Sequence, residues 1–142
     1  MTPSSNVELT RRFIAAFNAR HVDGLIAYSD PSVELHSSFE VVGGGIYHGH
    51  DGIRRWHRDL KDVWGEEIRV ESEAFFDLGE HLLSFYALHG RGQVSGVEIA
   101  MPNASVARWR DGLLIYFKAY TDRQQAMRDL GVTEDELEAL EP

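Results

Sequence analysis

The sequence predicts an α+β fold, in which helices pack on one side of a curved antiparallel sheet. Its two most β-prone runs, Val94–Trp109 and Leu113–Tyr120, are joined by Arg110-Asp111-Gly112. An Asp-Gly pair between such runs is a strong signal for a β-hairpin. Apolar residues recur at helical spacing early in the chain and alternate with polar residues further on. The predicted order is two helices, a strand, a helix, four strands and terminal helices.

The first predicted helix carries an aromatic face. Leu9, Phe13 and Phe17 are spaced four residues apart, which places them on one side of a helix. Ser5 or Asn6 supplies a side chain that can cap its first turn.

Two further helices are predicted before the long strands. A short helix starts at Asp23-Gly24 and stops before Asp30-Pro31, because the residue preceding a proline disfavours helical backbone. A longer helix is capped by Asp51 and ended by Gly65. Its apolar residues at helical spacing are Ile53, Trp56, Leu60, Val63 and Trp64.

Alternating apolar and polar residues predict the strands. Residues 32–36 form a half-buried strand, residues 68–75 a strand with one wet face, and residues 81–89 a central strand with few charges. A loop over residues 37–45 follows the first strand. Its run of three glycines, Gly43–Gly45, predicts a mobile lid.

Capping patterns predict two helices after the hairpin. Asp122 with Gln125 resembles a capping box, and it opens a helix that Gly131 closes. Thr133 and Glu136 repeat the pattern for a short last helix over residues 133–140.

Length, charge and composition limit the classes of function. We expect one domain over residues 1–142, with its core at about residues 7–131. The net charge of −9 argues against nucleic acid or an anionic membrane as partner, because phosphate binding needs clustered Lys and Arg. The sequence has no Cys, no signal-peptide core, and no run approaching the ~18 apolar residues of a membrane span. We therefore expect a cytoplasmic protein.

One segment, from His48 to Asp51, suggests a metal site. A His-x-His pattern, here His48 and His50, supplies two ligands from extended backbone. No nearby Glu completes a ligand set, and Asp51 is needed as a helix cap. We interpret the segment as a loop leading into a helix, and we predict neither a metal nor a cofactor.

Two ionisable residues are candidates for acid–base catalysis. His36 ends the first predicted strand, where a His facing a pocket titrates near neutral pH. Strict alternation, however, points it away from the side of Leu35. Glu98 lies between Val97 and Ile99, and burial would raise its pKa towards that of a useful base. If the side chain of either residue points to solvent, that residue would have no catalytic role.

Aromatic residues are abundant enough to build a core and also to line an apolar pocket. The predicted pocket lining is Phe13, Phe17, Leu35, Tyr47, Trp56, Leu60, Trp64, Phe85, Ser105 and Tyr120. If the protein is an enzyme, Tyr47, Tyr120 or Ser105 would donate a hydrogen bond to an oxyanion formed there.

The layout resembles the SnoaL-like branch of the nuclear transport factor 2-like superfamily, which also includes ketosteroid isomerases. The resemblance covers about residues 7–131 and rests on the segments YHGHDGIRRW, RGQVSGVEIAMPNASV and WRDGLLIYFKAYTDRQQAMRDLG. It implies a cone-shaped, strongly bent, mixed or antiparallel sheet wrapped around N-terminal helices, with a pocket inside the cone. It also implies a homodimer formed through the outer face of the sheet.

The polar residues of ketosteroid isomerases are absent at the matching positions. A resemblance to ketosteroid isomerases would imply a Tyr on the first helix, an Asp at the end of the first strand and a second Asp on the strand before the last hairpin. Phe13, Leu35 and Ser105 stand there instead. A shift of one residue would put His36 at the position of the base.

Two functions of different classes follow as hypotheses. One is a cofactor-independent cyclase, isomerase or hydrolase that acts on a small apolar carbonyl compound, with His36 or Glu98 as the base. The other is a non-catalytic protein that binds a hydrophobic small molecule or a partner protein. The missing isomerase residues favour binding, whereas the abundance of His and Tyr favours an enzyme. Because one fold hosts many functions, only the residues of the site can distinguish these two hypotheses.

Overall fold

The structure, a computed structural model, describes residues 5–37, 45–91 and 96–137. Its helices are α1 (Ser5–Asn18), α2 (Val22–Ala27), α3 (Gly49–Trp64) and α4 (Arg123–Leu130), followed by a 3-10 turn at Glu134–Glu136. Its strands are β1 (Ser29–His36), β2 (Ile46–His48), β3 (Arg69–Asp77), β4 (Leu82–Arg91), β5 (Glu98–Arg110) and β6 (Leu113–Tyr120).

The described strands form one mixed sheet in the order β2-β1-β6-β5-β4-β3. β1 pairs with β6 in parallel, and the other pairs are antiparallel. Register shifts between β3 and β4 and between β5 and β6 mark irregularities of the kind that bend a sheet. The predicted hairpin is confirmed, because Asp111 and Gly112 both have the positive φ that its two-residue turn needs. The predicted α+β fold with a bent sheet is also confirmed. Of the two expected kinds of sheet, mixed or antiparallel, the structure has the mixed one, because β1 and β6 are parallel.

Helices α1, α2 and α3 pack against one face of the sheet, which we call the inner face. The helices bury Phe13, Phe17, Leu25, Ile53, Trp56 and Leu60 there. From the sheet, they meet Val33, Leu35, Tyr86, Leu88, Ala107 and Leu114. The aromatic face predicted for α1 therefore points into the core.

Helix α4 covers a second core on the opposite, outer face, so the prediction that the helices lie on one side of the sheet is wrong for this helix. Its Ala126 and Met127 pack with buried residues of the sheet, which are Phe76, Leu83, Ala104, Val106 and Tyr120. Because successive residues of a strand point to opposite faces, Ala104 lies under α4 while Ser105 points inward. The homodimer expected through the outer face remains a prediction.

Three element boundaries near the first strand differ from those predicted. Helix α3 begins at Gly49, so Asp51 lies in its first turn, where it contacts Arg54 at 3.3 Å instead of capping the helix. Strand β1 begins at Ser29, three residues before the predicted start, and therefore includes Pro31. The three-residue strand β2 was not predicted, because so short a run carries no periodicity.

At the C-terminal end, the predicted helix is confirmed but its capping box is wrong. The Asp122 carboxylate accepts a hydrogen bond from the Gln124 backbone at 2.9 Å, as expected of a cap. Gln125 instead donates to Asp129 at 2.7 Å. Gly131 ends α4 in the left-handed conformation, with φ of 70°.

Two other predictions fall partly outside the described residues. The capping box of Thr133 and Glu136 is confirmed, but residues 138–140 of the predicted last helix are not described. Of the predicted lid, Gly43 and Gly44 lie outside the described ranges as well. No helix within those ranges is long and apolar enough to cross a membrane.

Candidate functional site

A narrow cavity of about 50 Å³ lies between α1, α3 and the inner face of the sheet. Five aromatic side chains form much of its wall: Phe13, Phe17, Trp56, Trp109 and Phe117. The ring of Phe13 lies 6.5 Å from Trp56, 6.3 Å from Trp109 and 6.1 Å from Phe117, measured between ring centroids. These distances are those of mutually packed rings. The wall therefore presents flat apolar surfaces to anything inside.

The polar lining comes mainly from the neighbouring strands β4 and β5. Tyr86 and Asn103 are direct register partners, and Ser105 follows Asn103 by two residues on the same face. All three side chains are buried, with exposed fractions of 6%, 1% and 3% respectively. Asn103 Oδ1 has no hydrogen-bond partner among the described residues. A buried acceptor left unpaired costs about 1–3 kcal/mol.

Thr10 fixes the indole ring of Trp109 at another part of the wall. The Trp109 Nε1–H donates to Thr10 Oγ1 at 3.0 Å. The Thr10 hydroxyl in turn donates to the carbonyl oxygen of Asn6 at 2.8 Å. Because that bond uses the Thr10 hydroxyl proton, Thr10 does not donate it to a ligand. Its role is to hold the Trp109 ring in place.

The polar groups of the cavity are uncharged at neutral pH. Burial raises the pKa of Tyr86 to about 12, although a hydrogen bond from Asn103 and the charge of Arg123 act in the opposite direction. The Tyr86 hydroxyl lies 3.5 Å from the carbonyl oxygen of Ala104, a long contact. No Asp, Glu, His, Lys or Arg is found among the described residues that line the cavity.

Arg123 holds this polar region from the outer face. Its Nε donates to the carbonyl oxygen of Asn103 at 3.0 Å, and its Nη2 donates to that of Tyr86, also at 3.0 Å. Nη2 also contacts the Glu73 carboxylate at 2.8 Å. The guanidinium lies 4.8 Å from the centroid of the Phe85 ring, within the range of a cation–π contact. Arg123 is the first residue of α4, so it ties this helix to both strands.

The model of the SnoaL-like domain family matches residues 10–117, which include most of α1, all of α3 and most of the sheet. This chain belongs to the SnoaL-like family. No curated protein matches it.

Several solved structures share the fold of this SnoaL-like chain. One is an NTF2-like protein of unknown function from Burkholderia pseudomallei, with 23% identity over 89% of this chain and 97% of the other, and a TM-score of 0.73. Another is TerC, co-crystallised with polyporic acid, with 24% identity, 89% and 98% coverage, and a TM-score of 0.73. A third is a proposed SnoaL-like polyketide cyclase from Jannaschia, with 17% identity, 89% and 94% coverage, and a TM-score of 0.71.

Half of the predicted pocket lining of the SnoaL-like chain lies on the cavity wall. These residues are Phe13, Phe17, Trp56, Leu60 and Ser105. Leu35 does not line the cavity. It packs within the core of the inner face. The side chain of Trp64 lies outside the described part of the structure.

Three predicted aromatic residues also lie away from the cavity. The Tyr47 hydroxyl donates to Asp59 at 2.7 Å, and the Tyr120 hydroxyl donates to Asp129 at 2.8 Å. Burial and these carboxylates raise the pKa of both hydroxyls, that of Tyr47 to about 12. Phe85 packs with the outer-face core under α4. Neither tyrosine is therefore placed to donate to an oxyanion in the cavity.

The two candidate bases are likewise not part of the cavity lining. His36 Nε2 is hydrogen-bonded to the Glu34 carboxylate, and its ring lies 5.2 Å from that of Tyr116. Leu35 beside it points into the core, so His36 faces the other way, as strict alternation predicts. Glu98 is exposed in a surface groove next to His89. The geometry gives neither residue a part in chemistry inside the cavity.

The two histidines at the start of α3, His48 and His50, have different surroundings. His50 Nε2 contacts the carbonyl oxygen of Ser29 at 2.9 Å, and His48 is exposed at the start of the helix. Within the described ranges, no group of three or more His, Cys, Asp or Glu side chains could hold a metal ion.

Sequence reasoning missed Tyr86, Asn103 and Trp109. Asn103 and Trp109 lie on the same side of β5 as Ser105, so extending the alternation from Ser105 would have found both. Tyr86 faces Asn103 across the sheet, and only the strand register reveals that pairing.

Proposed function

We propose that this protein binds a small, neutral, largely apolar molecule in the cavity between α1, α3 and the sheet. The observation that carries this proposal is the lining, in which aromatic walls meet uncharged polar groups and no charged side chain among the described residues. A charged ligand would lose its hydration there without gaining a partner charge, and that loss costs several kcal/mol. A flat ring, in contrast, gains contact with the rings of Phe13, Phe17 and Trp56.

Ligand entry requires the narrow cavity to widen. Trp109 lines both the cavity and an open groove between the start of α1 and the turn at Gly112. We infer that the ligand enters at Trp109, when its indole moves away from Thr10 and breaks the hydrogen bond between them.

A second candidate function is cofactor-independent catalysis on a carbonyl compound. The observation that favours it is the position of Ser105 on the cavity wall, where its hydroxyl can stabilise an oxyanion. The likeness to a proposed polyketide cyclase supports it only at the level of fold. Such a reaction also needs a base, and the described lining contains no side chain of that kind. The geometry therefore supports binding better than catalysis.

Calorimetric titration with four compounds of similar size tests the proposal. We expect neutral toluene and phenol to bind, and benzoate and benzylammonium to bind at least about tenfold more weakly, because of the desolvation of their charge. The variant Ala107→Leu fills the cavity and should abolish binding. The matched control is Ala87→Leu, since Ala87 is half-buried but does not line the cavity. Equal affinity for neutral and charged compounds, or full binding by Ala107→Leu, would contradict the proposal.

A further inference from the structure

We propose that the ligand carries an O–H or N–H group that donates a hydrogen bond to Asn103 Oδ1. This inference rests on the proposed function and narrows its ligand to neutral ring compounds that bear a hydroxyl or N–H group, such as phenols.

The Asn103 side chain is buried beside the cavity and cannot reach water easily. It is 1% exposed, and its Oδ1 has no hydrogen-bond partner among the described residues. Its main-chain carbonyl accepts from Arg123, and its strand position pairs it with Tyr86. Because the backbone is held on both sides, the side chain stays directed to the inner face.

The neighbouring Tyr86 hydroxyl does not satisfy Asn103 Oδ1. The side chains of Asn103 and Tyr86 lie side by side on the inner face, because the two residues are register partners. The Tyr86 hydroxyl directs its own proton towards the carbonyl oxygen of Ala104, 3.5 Å away. Since its proton is directed there, the Tyr86 hydroxyl is no donor to Asn103, and the buried Oδ1 remains as an acceptor for the ligand.

An unpaired buried acceptor selects between classes of ligand. A hydrocarbon or a ketone fills the cavity but leaves Oδ1 without a donor, because neither carries an acidic proton on oxygen or nitrogen. A carboxylate brings only acceptors and a charge, and both are unfavourable beside Oδ1. A phenol or an aromatic N–H compound satisfies Oδ1 while its ring contacts the aromatic wall. Specificity of this kind arises when a site built for a hydroxyl rejects an analogue that lacks it.

Toluene and phenol differ only in a methyl and a hydroxyl group, so together they test this inference. Their dissociation constants are measured by calorimetry for the wild type, for Asn103→Leu and for Ser84→Ala. Ser84 is the matched control, because its Oγ is also buried without a partner among the described residues, yet it does not line the cavity. We expect Asn103→Leu to weaken phenol binding about fivefold to tenfold and to change toluene binding less than about twofold. Ser84→Ala should change neither.

The outcomes separate this inference from the proposed function. If toluene and phenol both bind and Asn103→Leu weakens them equally, or weakens neither, the inference is overturned and the proposed function stands. If neither compound binds the wild type, both are overturned. If Asn103→Leu does not fold, nuclear magnetic resonance of the wild type tests the inference instead. The Asn103 side-chain amide signals should then shift with phenol and not with toluene, and equal shifts would overturn the inference.

Discussion

Arg123 Nε donates a hydrogen bond to the main-chain carbonyl oxygen of Asn103 over 3.0 Å. Since the same side chain also donates to Tyr86, one residue holds both strands at the polar region of the cavity. Arg123 belongs to α4 on the outer face, whereas the Asn103 side chain faces inward. The C-terminal helix therefore supports the site from behind the sheet.

Replacement of Arg123 by Leu should weaken both the fold and the site. Hydrogen bonds from a charged group contribute about 1.5–3 kcal/mol, so we expect a loss of that size in the free energy of unfolding, measured by urea denaturation. Phenol binding should weaken more than toluene binding, because Asn103 is then less firmly positioned. The control Glu73→Gln keeps both carbonyl bonds and removes a partly exposed ion pair, so it should cost less than about 1 kcal/mol. Equal losses in the two variants would contradict this role of Arg123.

His57 should make the fold sensitive to acid. It is 3% exposed, its Nε2 has no partner among the described residues, and burial, then Lys61 and Arg20, lower its pKa below the usual 6.5. The unfolded chain therefore takes up the proton first. The contribution of neutral His57 to the free energy of unfolding is therefore fully present above about pH 6.5. It is lost as the pH falls below that value.

The variant His57→Phe removes this titration and keeps a ring beside Phe17, which lies 5.8 Å away between centroids. We expect its melting temperature to fall less than that of the wild type between pH 7.5 and about pH 5. His48→Gln, at an exposed position, should behave as the wild type does. An unchanged acid dependence in His57→Phe would show that the buried imidazole is not responsible.

The contact between Thr10 and Trp109 should be measurable as a coupling energy. Thr10→Val keeps the shape of the side chain but leaves the Trp109 Nε1–H without its acceptor, which should cost about 1 kcal/mol of unfolding free energy. Trp109→Phe removes the donor. In a double-mutant cycle, the combined variant should lose about 1 kcal/mol less than the sum of the single variants. Simple additivity would exclude a stabilising hydrogen bond.

Mutation of His36 and Glu98 should leave ligand binding unchanged. Neither side chain lines the cavity, so we expect His36→Ala and Glu98→Gln to bind phenol within about twofold of the wild type. Calorimetric titration of the three proteins under one set of conditions provides the comparison. A loss of affinity in either variant would restore that residue as a candidate for the site.

The fold was predictable wherever local signals determine it. The hairpin at Asp111 and Gly112 and the strand that follows need only turn chemistry and β-propensity. Phe13 and Trp56 were predicted as lining because helical spacing alone places them on the inner side of α1 and α3. These predictions need no knowledge of which strands are neighbours.

The polar part of the site was not predictable in that way. Tyr86 meets Asn103 only through the register of β4 and β5, which are 17 residues apart at this point (103 − 86). Arg123 donates to main-chain carbonyls 20 and 37 residues away. Because every residue has such a carbonyl group, the sequence does not show which of them accepts the bond. For Leu35, burial was predicted correctly, but whether a buried residue lines a cavity or the solid core depends on long-range packing.

A crystal structure of the wild-type protein with phenol would show directly whether the cavity holds the ligand as proposed. We predict that the phenol ring lies among Phe13, Phe17 and Trp56, with its hydroxyl oxygen within about 3.2 Å of Asn103 Oδ1. Phenol bound only outside the cavity, or inside it with the hydroxyl turned away from Asn103, would overturn the proposed site.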